Sequence, residues 1–449
     1  MHHGEGPVLQ WRSVLAGLLI TSMIFLSIIN DIVPFEGVGR TSWVPGILGW
    51  VAAFLLIDRV KVAQRWQIAA IVSIGLIMHF AAAVRGVEID IAKAIGINAG
   101  LISMIASVGF LRLVVSPGAA NEKLPVGGRA YYRTMLGVWL FGSVINISAP
   151  IIFADRLARR EGLSRLASQS MVRVFTTCSG WSPFFGGMAV VVTYVPNINL
   201  GLVILLCLPF SLLGLALVLA EARIRFSEEL SGFRGYPVKF SSLWVPAILA
   251  LIVISLSWWA PSWSVLTHIS LGALIVSIVG LKLQNKSWVE FFQVLFRQVT
   301  VHVPAMVNEL SLFLVAGVMA TGLASFLASD VISMSSQTFG SKQAILLLGF
   351  MISLAVIGVH PVVTVSGATP LVLNLNPDPD LLAVVYLLAW SLGTCASPLS
   401  GTHLVFQGRY GISSWRAAAR NWPFVAVLYL ASMPFLYWIT VLVQGQATN

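Results

Sequence analysis

Long apolar stretches recur along the whole chain, and they constrain its fold more than any other feature. Each is continuous rather than alternating and runs for about 20 residues, the length that an α-helix needs to cross a bilayer, which excludes a β-barrel. The 449 residues are 57% hydrophobic and only 10% charged, whereas a soluble domain has about 25% charged residues. The chain is therefore predicted to be an all-α, polytopic membrane protein.

Eleven of these stretches are predicted to be membrane-spanning helices. They cover residues 14–33, 43–57, 67–83, 91–115, 167–195, 200–222, 241–260, 264–283, 303–328, 381–406 and 421–444. Two further apolar stretches, 131–155 and 342–375, have polar centres that read "VINISAP" and "VTVSGATP". Irregular backbone at membrane depth must be satisfied by protein or by a water-filled cavity. We predict that both are re-entrant hairpins, which return to the side from which they enter.

The basic residues indicate the orientation of the spans. With the N-terminus in the cytoplasm and the C-terminus outside, only Arg40, Arg85, Lys93 and Lys342 of the 27 lysines and arginines fall outside. Basic residues favour cytoplasmic loops, so this bias supports the layout with two hairpins. Because the basic residues do not share one face, no nucleic-acid partner is expected. The predicted location is a cell membrane of the bacterial inner-membrane type.

The chain also contains two similar halves. The motif around Thr177 recurs around Thr394, 217 residues later. In the predicted topology the first hairpin opens from the cytoplasm and the second from outside. The halves, 1–222 and 241–449, would thus form inverted repeats, as in many secondary transporters, joined by a charged cytoplasmic linker at 223–240.

The segment 285–302 differs from the predicted spans. It reads "NKSWVEFFQVLFRQVTVH", which is too polar to cross the bilayer. We predict an amphipathic helix that lies at the inner membrane surface and ends at Pro304.

Two of the predicted spans, 167–195 and 381–406, contain helix-breaking residues. Their centres read "TTCSGWSPFFGG" and "GTCASPLSGTH", with glycine and proline that loosen or end a helix. A broken helix presents free N–H groups with partial positive charge at one end and free carbonyl groups at the other. The first suits an anionic substrate and the second a cation. The breaks and hairpin tips are therefore predicted to form a transport site at the middle of the bilayer.

The predicted site residues are the polar and glycine residues at these four places. The candidates for substrate binding are Asn146, Ser148, Ser182, Thr364, Ser366, Gly367, Thr369, Ser397 and Ser400. The candidates for cation binding are Asn146, Thr177, Ser179, Thr369, Thr394 and Thr402. Glu309, His360 and His403 are candidates for a proton or anion group. No Arg or Lys lies in these polar centres, so we expect backbone N–H groups and hydroxyls to hold the substrate's negative charge.

This pattern resembles the ion transporter superfamily, which includes divalent anion/sodium symporters, membrane subunits of tripartite dicarboxylate transporters and several Na⁺/H⁺ antiporters. The resemblance rests on two inverted halves, each with a hairpin that has Asn, Ser or Thr at its tip and is followed by a broken span. Where the symporters typically have Ser-Asn-Thr, this chain has "NIS" at 146–148 and "VSGAT" at 365–369. The resemblance implies a homodimer with a fixed scaffold and an elevator-like moving domain.

The sequence therefore predicts a cation-coupled secondary transporter of a small organic anion, with Na⁺ or H⁺ as the coupling ion. A Na⁺/H⁺ antiporter and a membrane subunit of a multi-component transporter are the alternatives. The scarcity of carboxylates within the predicted spans argues against the antiporter, because proton exchange usually needs an acid within the membrane. No enzymatic activity, metal or other cofactor is expected, since the chain has neither a phosphate-binding loop nor a Cys-x-x-Cys pair.

Overall fold

The chain is almost entirely α-helical in the computed structural model, which describes residues 7–33, 43–115, 124–238, 244–284, 287–329 and 339–447. Its helices are α1 (Pro7–Ile32), α2 (Trp43–Leu55), α3 (Val62–Val84), α4 (Ile91–Gly96), α5 (Ala99–Val108), α6 (Gly128–Ile145), α7 (Ser148–Glu161), α8 (Arg165–Cys178), α9 (Gly186–Tyr194), α10 (Leu200–Arg225), α11 (Ser227–Ser231), α12 (Trp244–Trp259), α13 (Val265–Leu283), α14 (Trp288–Arg297), α15 (Val307–Leu327), α16 (Ser341–Val356), α17 (Pro361–Leu373), α18 (Pro379–Ala396), α19 (Gly401–Tyr410) and α20 (Ser414–Ala447). The described residues contain no strand longer than a single antiparallel bridge between Val126 and Arg234.

Eight helical stretches within the described residues are long and apolar enough to cross a membrane. They are Trp11–Ile32, Gln64–Val84, Ile91–Leu113, Leu200–Arg225, Val265–Leu283, Trp288–Leu327, Pro379–Tyr410 and Ser414–Val443. Each coincides with one of the eleven predicted spans. This confirms the prediction of an all-α, polytopic membrane protein.

The other three predicted spans are not single long helices. The predictions at 43–57 and 241–260 correspond to α2 and α12, which have 13 and 16 residues. At 1.5 Å per residue these helices are about 20 and 24 Å long, shorter than the roughly 30 Å hydrocarbon core. The prediction at 167–195 corresponds to two helices, α8 and α9, of 14 and 9 residues.

The turn of the second predicted hairpin, 342–375, lies earlier than its sequence indicated. The chain turns between Val356 and Pro361, where Gly358 has a φ of 100°. The sequence "VTVSGATP", predicted to be an irregular tip, is instead part of helix α17. Proline is favoured in the first turn of a helix because its missing N–H is not needed there, and Pro361 occupies that position, with His360 as the cap. In the first predicted hairpin, 131–155, the chain turns at 146–147. That either segment is re-entrant stays a prediction.

The chain divides into two compact units. Unit 1 takes its residues from 1–114, 247–333 and 366–371, and unit 2 takes the remainder. In unit 1, α3 packs along α15 with backbone contact at two glycines. A Cβ atom added to Gly322 would lie 2.4 Å from the carbonyl oxygen of Gly75. Small residues permit such close packing of membrane helices.

Helix α18 is the centre of unit 2. In the apolar part of the span that contains it, Pro379–Tyr410, 94% of the residues are buried. Helix α18 packs against α8, α9, α10, α16 and α20. The order of elements is the same in both halves of the chain: two helices joined by a turn, an interrupted helix, and a long helix. The inverted relation of the halves stays a prediction.

The structure describes most of the predicted linker, 223–240, and of the predicted surface helix, 285–302. Helix α10 continues to Arg225 and so includes the first three residues of the predicted linker 223–240, and the described part of that linker then pairs with the chain ahead of α6. The segment 285–302 contains helix α14 followed by a π-helical turn at 298–302. A 3-10 turn at Pro304–Met306 then leads into α15.

Candidate functional site

The first interruption in unit 2 separates α8 from α9. Residues 179–185 leave the helix, and the motif serines Ser179 and Ser182 are only 1% and 0% exposed. The hydroxyl of Ser182 donates a short hydrogen bond to the carbonyl oxygen of Ser143 in α6 and accepts one from the N–H of Phe184 at 3.2 Å. The buried irregular backbone is thus satisfied by protein groups, as membrane depth requires.

Asn146 forms the turn between α6 and α7 and contacts the same interruption. Its backbone has a φ of 54° and a ψ of −142°, a conformation that residues other than glycine rarely adopt. Its carboxamide Nδ2 donates to the carbonyl oxygen of Phe184 at 2.9 Å. Such strained residues cost about 1–3 kcal/mol and cluster at functional sites. The predicted site residues Asn146 and Ser182 therefore contact the same stretch of backbone. Ser148, which is half-buried, begins α7 two residues after Asn146.

The carbonyl groups at the end of α8 are satisfied by hydroxyls from other helices. The carbonyl of Thr176 accepts from Ser391 Oγ in α18 at 2.7 Å, and that of Thr177 accepts from Ser211 Oγ in α10 at 2.8 Å. The hydroxyls of Thr177 and Ser179 themselves bond to carbonyls of the preceding turn. All the predicted polar side chains of this interruption are thus engaged with protein.

The second interruption, between α18 and α19, is different. Ser400 caps α19 and accepts from the N–H of His403. By contrast, the hydroxyls of Thr394, Ser397 and Thr402 make no hydrogen bond with any described residue, although Ser397 and Thr402 are only 1% and 2% exposed. Buried hydroxyls are normally hydrogen-bonded. That these three hydroxyls bind a ligand stays a prediction.

The first interruption packs against helix α18 within unit 2. A Cβ atom added to Gly180 would lie 3.5 Å from Cβ of Ser391, and one added to Gly187 would lie 2.8 Å from the indole of Trp390. Glycine at these positions lets α18 approach the interruption closely. The broken segment that follows Thr177 thus packs against the helix that contains Thr394.

A buried polar network extends from the second interruption, and sequence reasoning missed most of it. Arg173 in α8 is 3% exposed; its guanidinium pairs with Glu221 and donates to Asn421 Oδ1 at 2.9 Å. The carboxamide of Asn421 then donates to His403 Nε2 at 3.2 Å, and His403 Nδ1 lies 3.0 Å from the carbonyl oxygen of Ser397. This pattern makes His403 a neutral imidazole with its proton on Nδ1.

Two cavities reach this network. Both are small clefts; Arg173 and Glu221 line one, and His403 and Asn421 line the other. Gln169 lines both, and its buried side-chain oxygen has no hydrogen-bond partner in the described part of the chain. Arg173 lies within the predicted span 167–195, in a helix that begins at Arg165.

The remaining predicted residues lie elsewhere. Thr364 belongs to unit 2 and bonds to the carbonyl of Pro361, whereas Ser366, Gly367 and Thr369 cluster with unit 1. Their participation in one site with Asn146 stays a prediction.

The two other candidate proton or anion groups are half-buried. His360 caps α17 by accepting from the N–H of Val362 at 3.2 Å, which is a structural role. Glu309 lies in the first turn of α15 in unit 1, within electrostatic reach of Lys61.

The site and fold define an all-α membrane protein whose interrupted helices meet in one compact unit. No family model matches the chain, and no curated protein matches it. Among solved structures, the chain is similar to the YdaH transporter of Alcanivorax borkumensis, described as having an unusual topology. The similarity covers 96% of this chain and 98% of that one, at 13% sequence identity and a TM-score of 0.41. Values this low assign neither a family nor a function.

Proposed function

We propose that this chain is a cation-coupled secondary transporter of a small organic anion that works by alternating access. The observation that carries the proposal is the contact between two buried interrupted helices, α8–α9 and α18–α19, within unit 2. Interrupted membrane helices are costly unless protein groups or a water-filled cavity satisfy their backbone. In transporters they bind substrates and coupling ions.

The substrate's negative group would be bound by helix N-termini and hydroxyls. Helix α9 begins at Gly186 without a side-chain cap, which leaves N–H groups of its first turn available. The free hydroxyls of Ser397 and Thr402 flank the start of α19. Hydrogen bonds of this kind to a charged group are worth about 1.5–3 kcal/mol each.

The coupling cation would be bound by oxygens at the C-terminal ends of α8 and α18. The carbonyls of Thr176 and Thr177 already meet hydroxyl oxygens there, and Thr394 adds a hydroxyl near the end of α18. Carbonyl and hydroxyl oxygens at unwound helix ends coordinate Na⁺ in transporters. We propose Na⁺ as the coupling ion, and a homodimer with an elevator-like motion as the form in which the chain works.

Transport in proteoliposomes tests the proposal. We expect an inward Na⁺ gradient to drive accumulation of at least one acid from a panel of small labelled mono- and dicarboxylates. Collapse of the Na⁺ gradient should abolish accumulation. Equal uptake driven by a proton gradient without Na⁺ would contradict Na⁺ coupling, and no uptake of any acid under either gradient would contradict anion transport.

Two isosteric or near-isosteric variants connect transport to the second interruption. Ser397→Ala and Thr402→Val remove hydroxyls that bond to no described residue, so each should raise the KM or Kd for substrate or cation about 10- to 100-fold while the fold is kept. Thr193→Val in α9 is the matched control, because its hydroxyl bonds to the carbonyl of Ala189 in its own helix. If the control loses as much affinity as the two variants, the binding site does not lie at this interruption.

A Na⁺/H⁺ antiporter is the second candidate, and one observation favours it. Glu221 is a carboxylate within the α10 span, 23% exposed and paired with buried Arg173. An ionisable residue within a span is a functional candidate by default, and the sequence argument against antiport had assumed that such groups were scarce. A pH-sensitive dye inside proteoliposomes distinguishes the two functions: antiport requires Na⁺-dependent proton efflux without any organic acid.

A further inference from the structure

A cluster of basic side chains lies in unit 1, away from the interrupted helices. Arg112 Nη2 donates to Nε2 of His302 at 3.3 Å. Arg297 is close enough to both residues for its positive charge to act on them. The three come from separate elements: the 3-10 turn at 109–113, the end of α14 and the π-helical turn.

The positive charges of this basic cluster are not neutralised by protein. Among the described residues, no carboxylate forms an ion pair with Arg112 or Arg297. Placing two guanidinium groups near each other is unfavourable unless an anion lies between them or beside them. The hydrogen bond to His302 also holds the guanidinium group of Arg112 in place, where such an anion can bind it.

Helix α14 presents an exposed apolar face beside the basic cluster. Trp288, Val289, Phe292 and Phe296 are each at least 60% exposed and lie on one side of the helix, while Phe291 is buried against the protein. The start of the helix is fixed by a capping box. The ammonium group of Lys282 lies 3.6 Å from the centre of the Trp288 ring, which adds a third positive charge to this region.

The length of the helical stretch places α14 at the membrane surface. Trp288–Leu327 contains 40 residues, whereas about 20 cross the hydrocarbon core. The π-helical turn and the 3-10 turn at Pro304 separate α14 from the spanning helix α15. An apolar helix face next to basic side chains is the composition of helices that lie in the headgroup region.

We propose that the basic cluster of Arg112, Arg297 and His302, together with the apolar face of α14, binds one anionic phospholipid. The phosphate would accept hydrogen bonds from the two guanidinium groups, and the acyl chains would cover the exposed aromatic side chains. A phospholipid supplies both parts in one molecule. A free phosphate would engage only the arginines, and a soluble apolar ligand only the helix face.

Native mass spectrometry of the delipidated protein, titrated with phosphatidylglycerol, tests the site. Arg112→Gln/Arg297→Gln should bind the first lipid about 30-fold more weakly than the wild type, the loss expected for two basic residues that contribute about 1 kcal/mol each. Arg223→Gln/Arg416→Gln is the matched control, because it removes the same charge from exposed arginines of unit 2. Gel filtration checks that all three proteins are monodisperse.

Two further titrations identify the ligand. Phosphatidylcholine, whose headgroup has no net charge, should bind at least about tenfold more weakly than phosphatidylglycerol, and 10-fold excess inorganic phosphate should not displace the lipid. Phe292→Asn, which changes the apolar face and leaves both arginines, should also weaken lipid binding. Equal loss in the control pair, displacement by phosphate, or unchanged binding in the arginine pair would each overturn the proposal.

Discussion

The ion pair between Arg173 and Glu221 allows the energetics of unit 2 to be tested by one substitution. The guanidinium is 3% exposed and has two further partners, the side-chain oxygen of Asn421 and the carbonyl of Arg420 at 2.8 Å. Glu221→Gln keeps an oxygen acceptor but removes the charge. Arg173 then remains buried in its positively charged form without a counter-charge.

The expected cost of Glu221→Gln follows from this burial. Removing one partner of a buried ion pair costs about 3–5 kcal/mol. The glutamate is 23% exposed, and the glutamine oxygen can still accept a hydrogen bond, so we expect about 2–3 kcal/mol of lost unfolding free energy. Arg225→Gln is the control, because Arg225 is 68% exposed and contacts the same carboxylate at 3.2 Å. An exposed pair four residues apart on one helix should contribute no more than about 0.5 kcal/mol.

Reversible unfolding in mixed micelles titrated with SDS measures both variants. The glutamate variant should unfold at a clearly lower SDS fraction than the wild type, and the arginine control should nearly coincide with the wild type. If the two variants lose the same free energy, Glu221 interacts mainly with solvent and the buried network described above contributes nothing.

Other substitutions test the contacts that shape the interruptions and unit 1. Asn146→Ala keeps the strain of a positive φ and loses the bond to Phe184, so it should destabilise by about 2–4 kcal/mol, whereas Asn146→Gly, which relieves the strain, should lose about 1 kcal/mol in the same unfolding titration. Ser211→Ala leaves an indole N–H and a helix-end carbonyl unsatisfied and should cost about 2–4 kcal/mol. Gly322→Ala forces its new methyl group against backbone 2.4 Å away and should lower the yield of monodisperse protein, while Gly408→Ala, with open space around it, should not.

The interruptions of the spans were predictable because their cause is local. Pro183 and the glycines and serines around it disfavour a continuous helix, and the chain leaves the helix after Cys178 and resumes it at Gly186. The fold class followed equally directly from the length of the apolar stretches. Local composition was misleading only where two helix-breaking signals competed, as at Pro361 and Pro370, where the earlier proline begins α17 and the later one lies inside it.

The buried network was not predictable because its members are far apart in the sequence. Arg173 is 48 residues from Glu221 and 248 from Asn421, and each residue taken alone looks like a loop or interfacial charge. The same reasoning explains why the free hydroxyls of the second interruption could not be distinguished from the engaged hydroxyls of the first. Both motifs have the same residue types, and the sequence does not show that Ser182 bonds to α6 while the hydroxyls of Ser397 and Thr402 find no described partner.

The contacts between α8, the first interruption and α18 also constrain how the proposed transporter moves. Ser391 of the second half bonds to Thr176 of the first, and α18 packs against the first interruption at Gly180. A mechanism that rocks one half against the other would break these contacts in every cycle, whereas a mechanism that moves unit 2 as one body would keep them. Cysteines at 180 and 391 would have Cβ atoms about 3.5 Å apart, which suits a disulfide.

This geometry gives a decisive cross-linking experiment. With the three native cysteines replaced by alanine, Gly180→Cys/Ser391→Cys should form a disulfide on oxidation and should retain uptake in proteoliposomes, because the linked residues move together. Each single-cysteine variant, oxidised in the same way, controls for the substitutions themselves. If oxidation of the double variant stops uptake and reduction restores it, while the single variants are unaffected, the first interruption must separate from α18 during transport. The elevator-like motion would then be wrong for this chain, and rocking of the halves would take its place.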